Sequence, residues 1–578
     1  MAKEKIDIIT LQLINNFLYS VVDEMTQATI RTSLSPIMRD AFDFQCGLCL
    51  PNGDMLLEGE GSLVHTGVYP ILINDLLTAD TPIYPGDVFI NNDPFSNAGH
   101  LPDMYMYRPI FLDAELVGWS VAVGHVRDIG GSTPGSCACD SREIYQEGLR
   151  IPPTKLYNKG IPNETLFRLL RANSRVPEIL VGDIEAFRSA CHIGEIRFLT
   201  LLKTYGSKFL GIYLKELLDY AERLTRAEIR KLPNGEYDFI DYLDDDGRNS
   251  DPIPLHVKIT VDEDEIILDS TGTGPQVEGA MNNPVGNTKA TIVTTLRYML
   301  DPDIPRNSGA FRPVKFILPE GTLLNPKLPA ACSSRAGTIG RFVDAMLGAM
   351  AKIAPDRIMA CNSEADVLLN IGGRDQNGKP WILMEATWGG WGGRPSADGV
   401  DYNTPTWLNG GNIPCESQEE IFPVLCTQYG YLPDREGAGK YRGSVALIRE
   451  YKLSDDQAIL QIRTERQVFP PYGLYGGQPG ALEEAIINPD TENRHIGKTT
   501  MDVKKNDVLR LITSGAGGWG DPLDRDPEMV LNDVYNEKVS AKRALEIYGV
   551  TIDEATIKVD FAETQKRRRK LKETREQY

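Results

Sequence analysis

The first regular pattern in the chain is an apolar stripe near the N-terminus. Between residues 7 and 33, apolar side chains recur every three or four positions, at Ile14, Phe17, Leu18, Val21, Met25 and Ala28. An α-helix completes one turn in about 3.6 residues, so these side chains would share one face. Pro36 follows and cannot continue a helix. The pattern predicts one amphipathic helix over residues 7–33.

The pattern changes between residues 40 and 135. Short runs rich in β-branched and aromatic residues, such as DVFINN and GWSVAVGHV, alternate with Gly, Pro, Asn and Asp. Such runs indicate strands, and the intervening residues are typical of turns. We expect a sheet-rich layer with long loops.

Helical and β-rich segments alternate along the rest of the chain. Residues 163–232 show helical periodicity, 235–270 read as strands, and NTKATIVTTLRYML and GRFVDAMLGAMAKIAP read as helices. Residues 365–520 are rich in glycine and strand patterns, and helical signal returns from DPEMVLNDVYNEKVS onward. The mixture predicts an α+β fold of several subdomains, with mixed sheets, long glycine-rich loops and flanking helices.

Four segments follow from these changes of pattern. Residues 1–235 would hold the N-terminal helix, a sheet-rich domain with the candidate metal ligands described below, and a helical segment. Residues 236–364 would form a mixed α/β middle domain, and residues 365–522 a glycine-rich β domain. Residues 523–578 would form a C-terminal helical segment.

Charge and cysteine content narrow the class of protein. With 61 basic and 81 acidic residues, the formal net charge is -20, which disfavours nucleic acid and anionic lipid as partners. No apolar stretch reaches the ~18 residues of a membrane span, and Asp7 interrupts any signal-like N-terminal segment. The nine cysteines show no disulfide framework. We expect a cytoplasmic protein with reduced thiols and no membrane partner.

Two glycine-containing motifs resemble nucleotide-binding motifs, but the residues next to them do not fit such a site. The run GKT at 497–499 ends like a phosphate-binding loop, yet Glu492 stands where that loop requires glycine. Glycines at 515, 517 and 520 have dinucleotide-site spacing, but the chain continues into Asp521-Pro522 instead of a helix. The sequence therefore predicts no nucleotide site in this chain.

Two of the six histidines lie where a strand pattern meets a glycine-rich loop. His100 and Asp103 lie in GDVFINNDPFSNAGHLPDM, and His125 ends an apolar strand; SPIMRDAFDFQCGL adds Asp40 and Asp43. Two imidazoles with two carboxylates suit a mononuclear site for zinc, manganese or iron. The alternative is that each histidine only caps a loop, since a short HxxD is a weak motif.

Several long motifs occur in order between about residue 30 and residue 550. They include PGDVFINNDPFSNAGHLPD, GHVRDIGGSTPGS, EIYQEGLRIPPTKLY, GDIEAFRSAC, DSTGTGPQVEGAMNNP and PRNSGAFRPVKFILPEGTLLNP. These motifs resemble the hydantoinase B family. That family includes the B-type components of bacterial hydantoinases, one half of 5-oxoprolinase, caprolactamase relatives, and large subunits of acetone and acetophenone carboxylases.

The resemblance implies one divalent transition metal, with zinc favoured and manganese or iron possible. The family's ligand pattern falls on His100, Asp103 and His125, with the fourth ligand on Asp40, where many relatives carry Glu. Aspartate is one methylene shorter, so the loop would have to come closer or a water would fill the gap.

The resemblance also implies a partner, an A-type ATP-binding subunit, in an α2β2 heterotetramer. ATP would phosphorylate the substrate's oxygen in that partner, and the activated molecule would reach the metal of this chain, where water of lowered pKa could attack. Asp128 and Glu147 are candidates for proton transfer, the alternative being loop hydrogen bonding.

The resulting prediction is a subunit of an ATP-dependent hydrolase that opens a cyclic amide, such as a hydantoin, an oxoproline-like lactam or a larger lactam. The first alternative is the large subunit of an ATP-dependent ketone carboxylase. The second is a non-catalytic structural subunit of such a complex.

Overall fold

An antiparallel sheet forms the N-terminal layer of the computed structural model, which describes residues 6–575 except 66, 80, 364–366 and 554–555. Its seven strands lie in the order β2-β1-β5-β4-β3-β6-β7. The strands are β1 Phe44–Cys49, β2 Met55–Glu58, β3 Val88–Asn91, β4 Asp103–Leu112, β5 Glu115–His125, β6 Thr154–Asn158 and β7 Ile161–Pro162. The predicted sheet-rich layer is confirmed.

Six helices accompany this sheet: α1 Ile8–Thr32, α2 Pro36–Arg39, α3 Tyr69–Thr78, α4 Glu164–Asn173, α5 Pro177–Tyr205 and α6 Ser207–Ile229. The helix predicted over residues 7–33 is confirmed, and it begins where the Asp7 carboxylate accepts the Thr10 N–H. Its apolar stripe, including Ile14 and Leu18, packs with α5 and the sheet in one core. No helix in the described part of the chain has the length and apolarity that crossing a membrane demands.

The middle of the chain forms a smaller sheet, in the order β11-β10-β9-β8. Its strands are β8 Gly235–Leu243, β9 Ile253–Asp262, β10 Glu265–Asp269 and β11 Val314–Ile317, and its helices are α7 Val285–Leu296, α8 Ser308–Phe311 and α9 Arg335–Ile353. Helix α9 packs against β8 and β9. Residues on nearly all of its sides are buried, and most of them are apolar or small. The strands and helices predicted here are confirmed.

The glycine-rich segment contains two further sheets, in the orders β13-β12-β16-β19 and β14-β15-β20-β17-β18. The strands are β12 Val367–Arg374, β13 Pro380–Thr387, β14 Val424–Leu432, β15 Ala446–Leu453, β16 Gln457–Arg463, β17 Glu484–Ile487, β18 Arg494–His495, β19 Thr499–Lys504 and β20 Val508–Ile512. Between β13 and β14 lies the short helix α10 Cys415–Ile421. Apolar side chains from both sheets share one core, so the two sheets pack face to face.

The C-terminal segment contains α11 Pro527–Tyr535, α12 Ala541–Glu546, β21 Ile552–Asp553, β22 Lys558–Val559 and α13 Phe561–Arg575. The predicted helices are present, but a small antiparallel pair interrupts them. Gly549, with a φ of 63°, turns the chain between α12 and this pair, which a continuous helix could not accommodate.

Candidate metal centre

Three strand ends of the N-terminal sheet meet at the candidate site. Asp103 is the first residue of β4 and His125 the last of β5, and the antiparallel register makes them direct partners. Asp43 precedes β1, and its carbonyl accepts the His125 N–H at 3.0 Å. Strand pairing alone therefore brings two predicted ligands and one further carboxylate together.

A tight turn before β4 adds His100. Its backbone N–H donates to Asp103 Oδ2 at 3.2 Å. A Cβ at Gly99 would overlap the Asp103 carboxylate, so only glycine allows the chain to approach so closely. On the ring, His100 Nδ1 lies 3.1 Å from the Ser333 carbonyl oxygen. Because a carbonyl only accepts, Nδ1 carries the hydrogen, and the neutral ring keeps its lone pair on Nε2.

That lone pair points at a second acceptor. His100 Nε2 lies 3.3 Å from Asp103 Oδ1 and has no hydrogen-bond partner among the described residues. Burial lowers the pKa of His100, and the nearby Asp103 only partly opposes this shift. A neutral imidazole and a carboxylate therefore face each other with lone pairs only. A bound cation would satisfy both atoms.

Two more donors complete the cluster. His125 Nδ1 is also buried without a partner in the described structure, and burial, followed by His100, holds the pKa of His125 well below its usual range. His100, His125 and Cys137 each offer one ligand atom, and these atoms all lie within 4.8 Å of one another. Neutral imidazole and sulfur donors suit a transition metal. Sequence patterns did not indicate Cys137; the available signal was its place in the loop after His125.

Asp40, to which the resemblance assigns the fourth ligand, lies outside this cluster. Its two carboxylate oxygens accept from Arg39 Nε at 3.2 Å and Nη2 at 3.1 Å. Asp43 instead lines the cavity beside His100 and His125. Burial, together with the negative charge of Asp103, raises the pKa of Asp43 to about 6. The structure thus brings His100 and His125 together with Cys137, places Asp103 beside His100, and leaves Asp40 paired with its neighbour.

Asp128, the first proton-transfer candidate, is fully buried behind the loop that follows β5. Its Oδ1 accepts from the Gly135 N–H and from Arg175 Nη1, both at 3.0 Å. Its Oδ2 accepts the Arg175 N–H at 2.7 Å. With both oxygens engaged, Asp128 ties the loop to the start of α5.

Glu147, the second candidate, supports the site from behind. Its Oε1 accepts the N–H groups of Cys332 at 2.8 Å and Ser333 at 2.9 Å. Burial raises the pKa of Glu147 to about 8, although these hydrogen bonds oppose the shift. The Ser333 carbonyl in turn accepts a hydrogen bond from His100 Nδ1. Glu147 therefore positions the His100 imidazole indirectly, by holding Ser333.

A cavity opens in front of the histidines, between the N-terminal sheet, the start of α9 and the glycine-rich domain. The polar residues of its lining, here called the polar wall, are His100, His125, Asp43, Arg335, Glu385 and Arg463. The rest of the lining is mainly apolar, with Ile37, Val64, Leu368, Met384, Trp388 and Trp407 among its residues. An apolar cavity with a few convergent polar groups is typical of a small-molecule site.

Arg335, the first residue of α9, fixes Asp103 on the polar wall. Its Nη2 donates to Asp103 Oδ2, and both side chains are almost completely buried. Burial alone would raise the pKa of Asp103, but Arg335, His100 and His65 hold it well below its usual range. Asp103 therefore carries a negative charge at neutral pH.

A larger depression lies elsewhere on the glycine-rich domain. This open groove of about 960 Å³ runs along β12, β16 and β19 and is lined by side chains of both charges. It contains neither histidine nor cysteine among its described lining residues. The smaller cavity is the better candidate, because the unpartnered donors converge there.

Known proteins resemble this chain over nearly its whole length. The family model "Hydantoinase B/oxoprolinase" matches residues 7–522. A relative from Pseudomonas sp. (strain NS671), described as the putative B component of a D-/L-hydantoinase, is 32% identical over 587 residues. That match covers 98% of each chain.

Two solved structures share the fold. The crystal structure of ATP-dependent caprolactamase from Pseudomonas jessenii superposes with a TM-score of 0.89 at 29% identity, covering 98% of this chain and all of the other. A nucleotide-free acetone carboxylase superposes with a TM-score of 0.91 at 20% identity, covering 98% of this chain and 83% of the other. At 20% identity, the second likeness concerns the fold alone.

Proposed function

The chain belongs to the hydantoinase B/oxoprolinase family, and we propose that it is the metal-carrying subunit of an ATP-dependent hydrolase that opens a cyclic amide. The observation that carries the proposal is the buried pair of acceptors, His100 Nε2 and Asp103 Oδ1, at 3.3 Å. A cation bound between the two atoms would relieve this contact, whereas burial disfavours the protonated imidazole.

His100, Asp103 and His125 are the ligands we propose for one divalent metal. Zinc is favoured, because imidazole and carboxylate donors suit it, with manganese or iron as alternatives. The family resemblance assigns the fourth donor to Asp40. In the structure, however, the Cys137 thiol is the donor that lies close to both histidines. When bound, such an ion polarises a carbonyl and lowers the pKa of water.

The surrounding residues would prepare the site for this chemistry. The Ser333 carbonyl fixes the tautomer of His100, and Arg335 holds Asp103 in place. The apolar wall around Trp388 and Trp407 would exclude bulk water from an activated substrate. Asp128 and Glu147 lie behind this arrangement, so we assign them to positioning and propose no direct proton transfer through them.

ATP would be used by a partner. The hydantoinase relative is named as one component of a larger enzyme and a related structure is titled ATP-dependent, while this chain carries no nucleotide motif. We propose an A-type partner in an α2β2 assembly, in the cytoplasm, where thiols stay reduced. An O-phosphorylated amide made in that partner is an imidate, whose carbon water attacks more readily than that of a lactam. From the tetrahedral adduct the ring nitrogen would leave as a protonated amine, which breaks the C–N bond and opens the ring. The acyl phosphate left behind would then be hydrolysed to carboxylate and phosphate.

Ketone carboxylation remains the second candidate. The likeness to the carboxylase is 20% identical and supports only the fold, whereas the hydantoinase relative is 32% identical over the whole chain. Hydrolysis is therefore the function that we favour.

The test is turnover by the assembled complex. The chain, co-purified with its A-type partner, should contain about one equivalent of a transition metal and cleave ATP in the presence of a lactam or hydantoin, with ring opening. The isolated chain should bind no ATP by calorimetry. Turnover of acetone or acetophenone with bicarbonate, without ring opening of any lactam or hydantoin, would contradict the proposal.

The identity of the fourth donor can be tested with three matched variants. Asp40→Asn, Asp43→Asn and Cys137→Ser each remove one donor and keep nearly the same size. We expect the true donor's variant to lose metal affinity about 10-fold or more, because that residue binds the ion directly. Metal titration against a chromogenic chelator gives the ranking. Unchanged affinity in all three would mean that water fills the fourth position.

A further inference from the structure

The polar wall of the cavity contains a guanidinium with no carboxylate partner. Arg463 ends β16 and is only 7% exposed. Its Nη1 lies 3.4 Å from the Ser333 carbonyl oxygen, and its side chain also hydrogen-bonds the Cys137 thiol. No Asp or Glu of the described chain lies within 4.0 Å of it, although Arg335 beside it pairs with Asp103.

A buried arginine without a counter-ion is costly, because its charge has left water without compensation. Arg463 Nε, moreover, has no hydrogen-bond partner in the described structure. The same side chain lines the cavity together with His100 and His125. An unpaired, preorganised donor set facing a cavity is what a bound oxyanion would complete.

The charge balance of the wall favours the same ligand class. Glu385 also lines the cavity, but it lies 3.7 Å from Arg449, which is outside the lining. The carboxylates of Asp43 and Asp103 offset the guanidiniums of Arg335 and Arg463, so a divalent metal held by the histidines would leave the wall with excess positive charge. Positive charge in a cavity with low-dielectric walls attracts anions. A neutral lactam or hydantoin could accept a hydrogen bond from Arg463, but it would not compensate the positive charge.

We propose that Arg463 binds an oxyanion of the molecule that enters the cavity, and that this oxyanion is the phosphoryl group of the activated substrate. The proposal rests on the proposed function, in which the partner phosphorylates the amide oxygen. Arg463 would hold the phosphoryl group while the neighbouring metal centre receives the carbon under attack. The ring nitrogen would leave first, and phosphate would be released from the resulting acyl phosphate. It would thereby distinguish activated from unactivated substrate. A carboxylate of substrate or product shares the same chemistry and is the source to be distinguished.

The experiment measures binding of inorganic phosphate to the full chain by calorimetry. Wild-type protein should bind phosphate, and Arg463→Gln should bind it at least about 10-fold more weakly, since a charged hydrogen bond is lost. Arg463→Lys should fall between the two, because it keeps the charge but not the planar fork. Arg374→Gln, at an exposed arginine in the groove on β12, serves as the matched control and should bind normally.

Equal phosphate affinity in wild type and Arg463→Gln, or no phosphate binding by wild type at tens of millimolar, would overturn the proposal. Acetate is titrated in parallel. Arg463-dependent binding of acetate without that of phosphate would overturn the phosphoryl assignment and identify a carboxylate instead. Thermal unfolding shows whether Arg463→Gln still folds. If Arg463→Gln does not fold, the charge-conserving Arg463→Lys variant is measured in its place. A phosphate affinity of Arg463→Lys equal to that of the wild type would then contradict the proposal.

Failure here is distinguishable from failure of the proposed function. Metal content and ring opening by the wild-type complex do not depend on the phosphate result. If phosphate binding proves independent of Arg463 while the complex still contains metal and opens the ring, only the present inference is wrong. If the chain binds phosphate through Arg463 but the complex opens no ring, the proposed function is wrong and the oxyanion site remains.

Discussion

Changing His125 to alanine in the assembled complex is expected to stop ring opening while substrate-triggered ATP cleavage in the partner continues. His125 is buried at the end of β5, with a ring nitrogen that has no other partner in the described structure. Removing a direct ligand should weaken metal binding at least as much as outer-shell changes do, which cost about 10–100-fold. The partner's ATP site should be untouched, because no nucleotide motif lies in this chain.

The measurement pairs phosphate release with product formation, and elemental analysis reports the metal content. His192→Ala is the matched control, because His192 is exposed on α5, where it pairs with Glu195. Native mass spectrometry verifies that the complex stays assembled. An intact, metal-free complex that forms product at the wild-type rate would defeat the mechanism, since the site would then be structural.

Replacing Arg335 with methionine is expected to destabilise the metal-free protein by about 3–5 kcal/mol, the usual cost of breaking one side of a buried ion pair. The Arg335 and Asp103 side chains are 4% and 1% exposed, so Asp103 would keep a buried charge without its partner. With metal bound, the loss should be clearly smaller, because the ion compensates Asp103 instead. Denaturant unfolding with and without a chelator measures both values.

An exposed arginine on α4 provides the control for this prediction. Arg171 pairs with Glu178 at 2.5 Å, and those side chains are 43% and 81% exposed. Water screens such a pair, so Arg171→Met should cost no more than about 1 kcal/mol, with or without metal. If Arg335→Met loses the same stability in chelated and metal-loaded protein, Asp103 does not bind the ion.

Local sequence patterns were sufficient for most of the secondary structure. The stripe in α1 and the alternating runs of β4 and β5 were predicted because helical and strand periodicities depend on neighbouring residues alone. The proximity of His100, Asp103 and His125 was also expected from the sequence, whereas their role as metal ligands stays a prediction. Each lies at a strand end beside a glycine-rich loop, and strands joined by a short connection pair with each other. The strands β21 and β22, of two residues each, were not predicted, because so short a run has no distinct periodicity.

What the tertiary structure alone decided is the rest of the site. Arg335 and Arg463 come from segments more than 200 residues away from His100, and they reach the cavity only because α9 and β16 pack against the N-terminal sheet. Spacing along the chain carries no information about such packing. The residues by themselves offered both Asp40 and Asp43, three residues apart, and the family resemblance favoured Asp40. Folding turned Asp43 into the cavity and paired Asp40 with Arg39, because the side-chain direction of a loop depends on what packs around it.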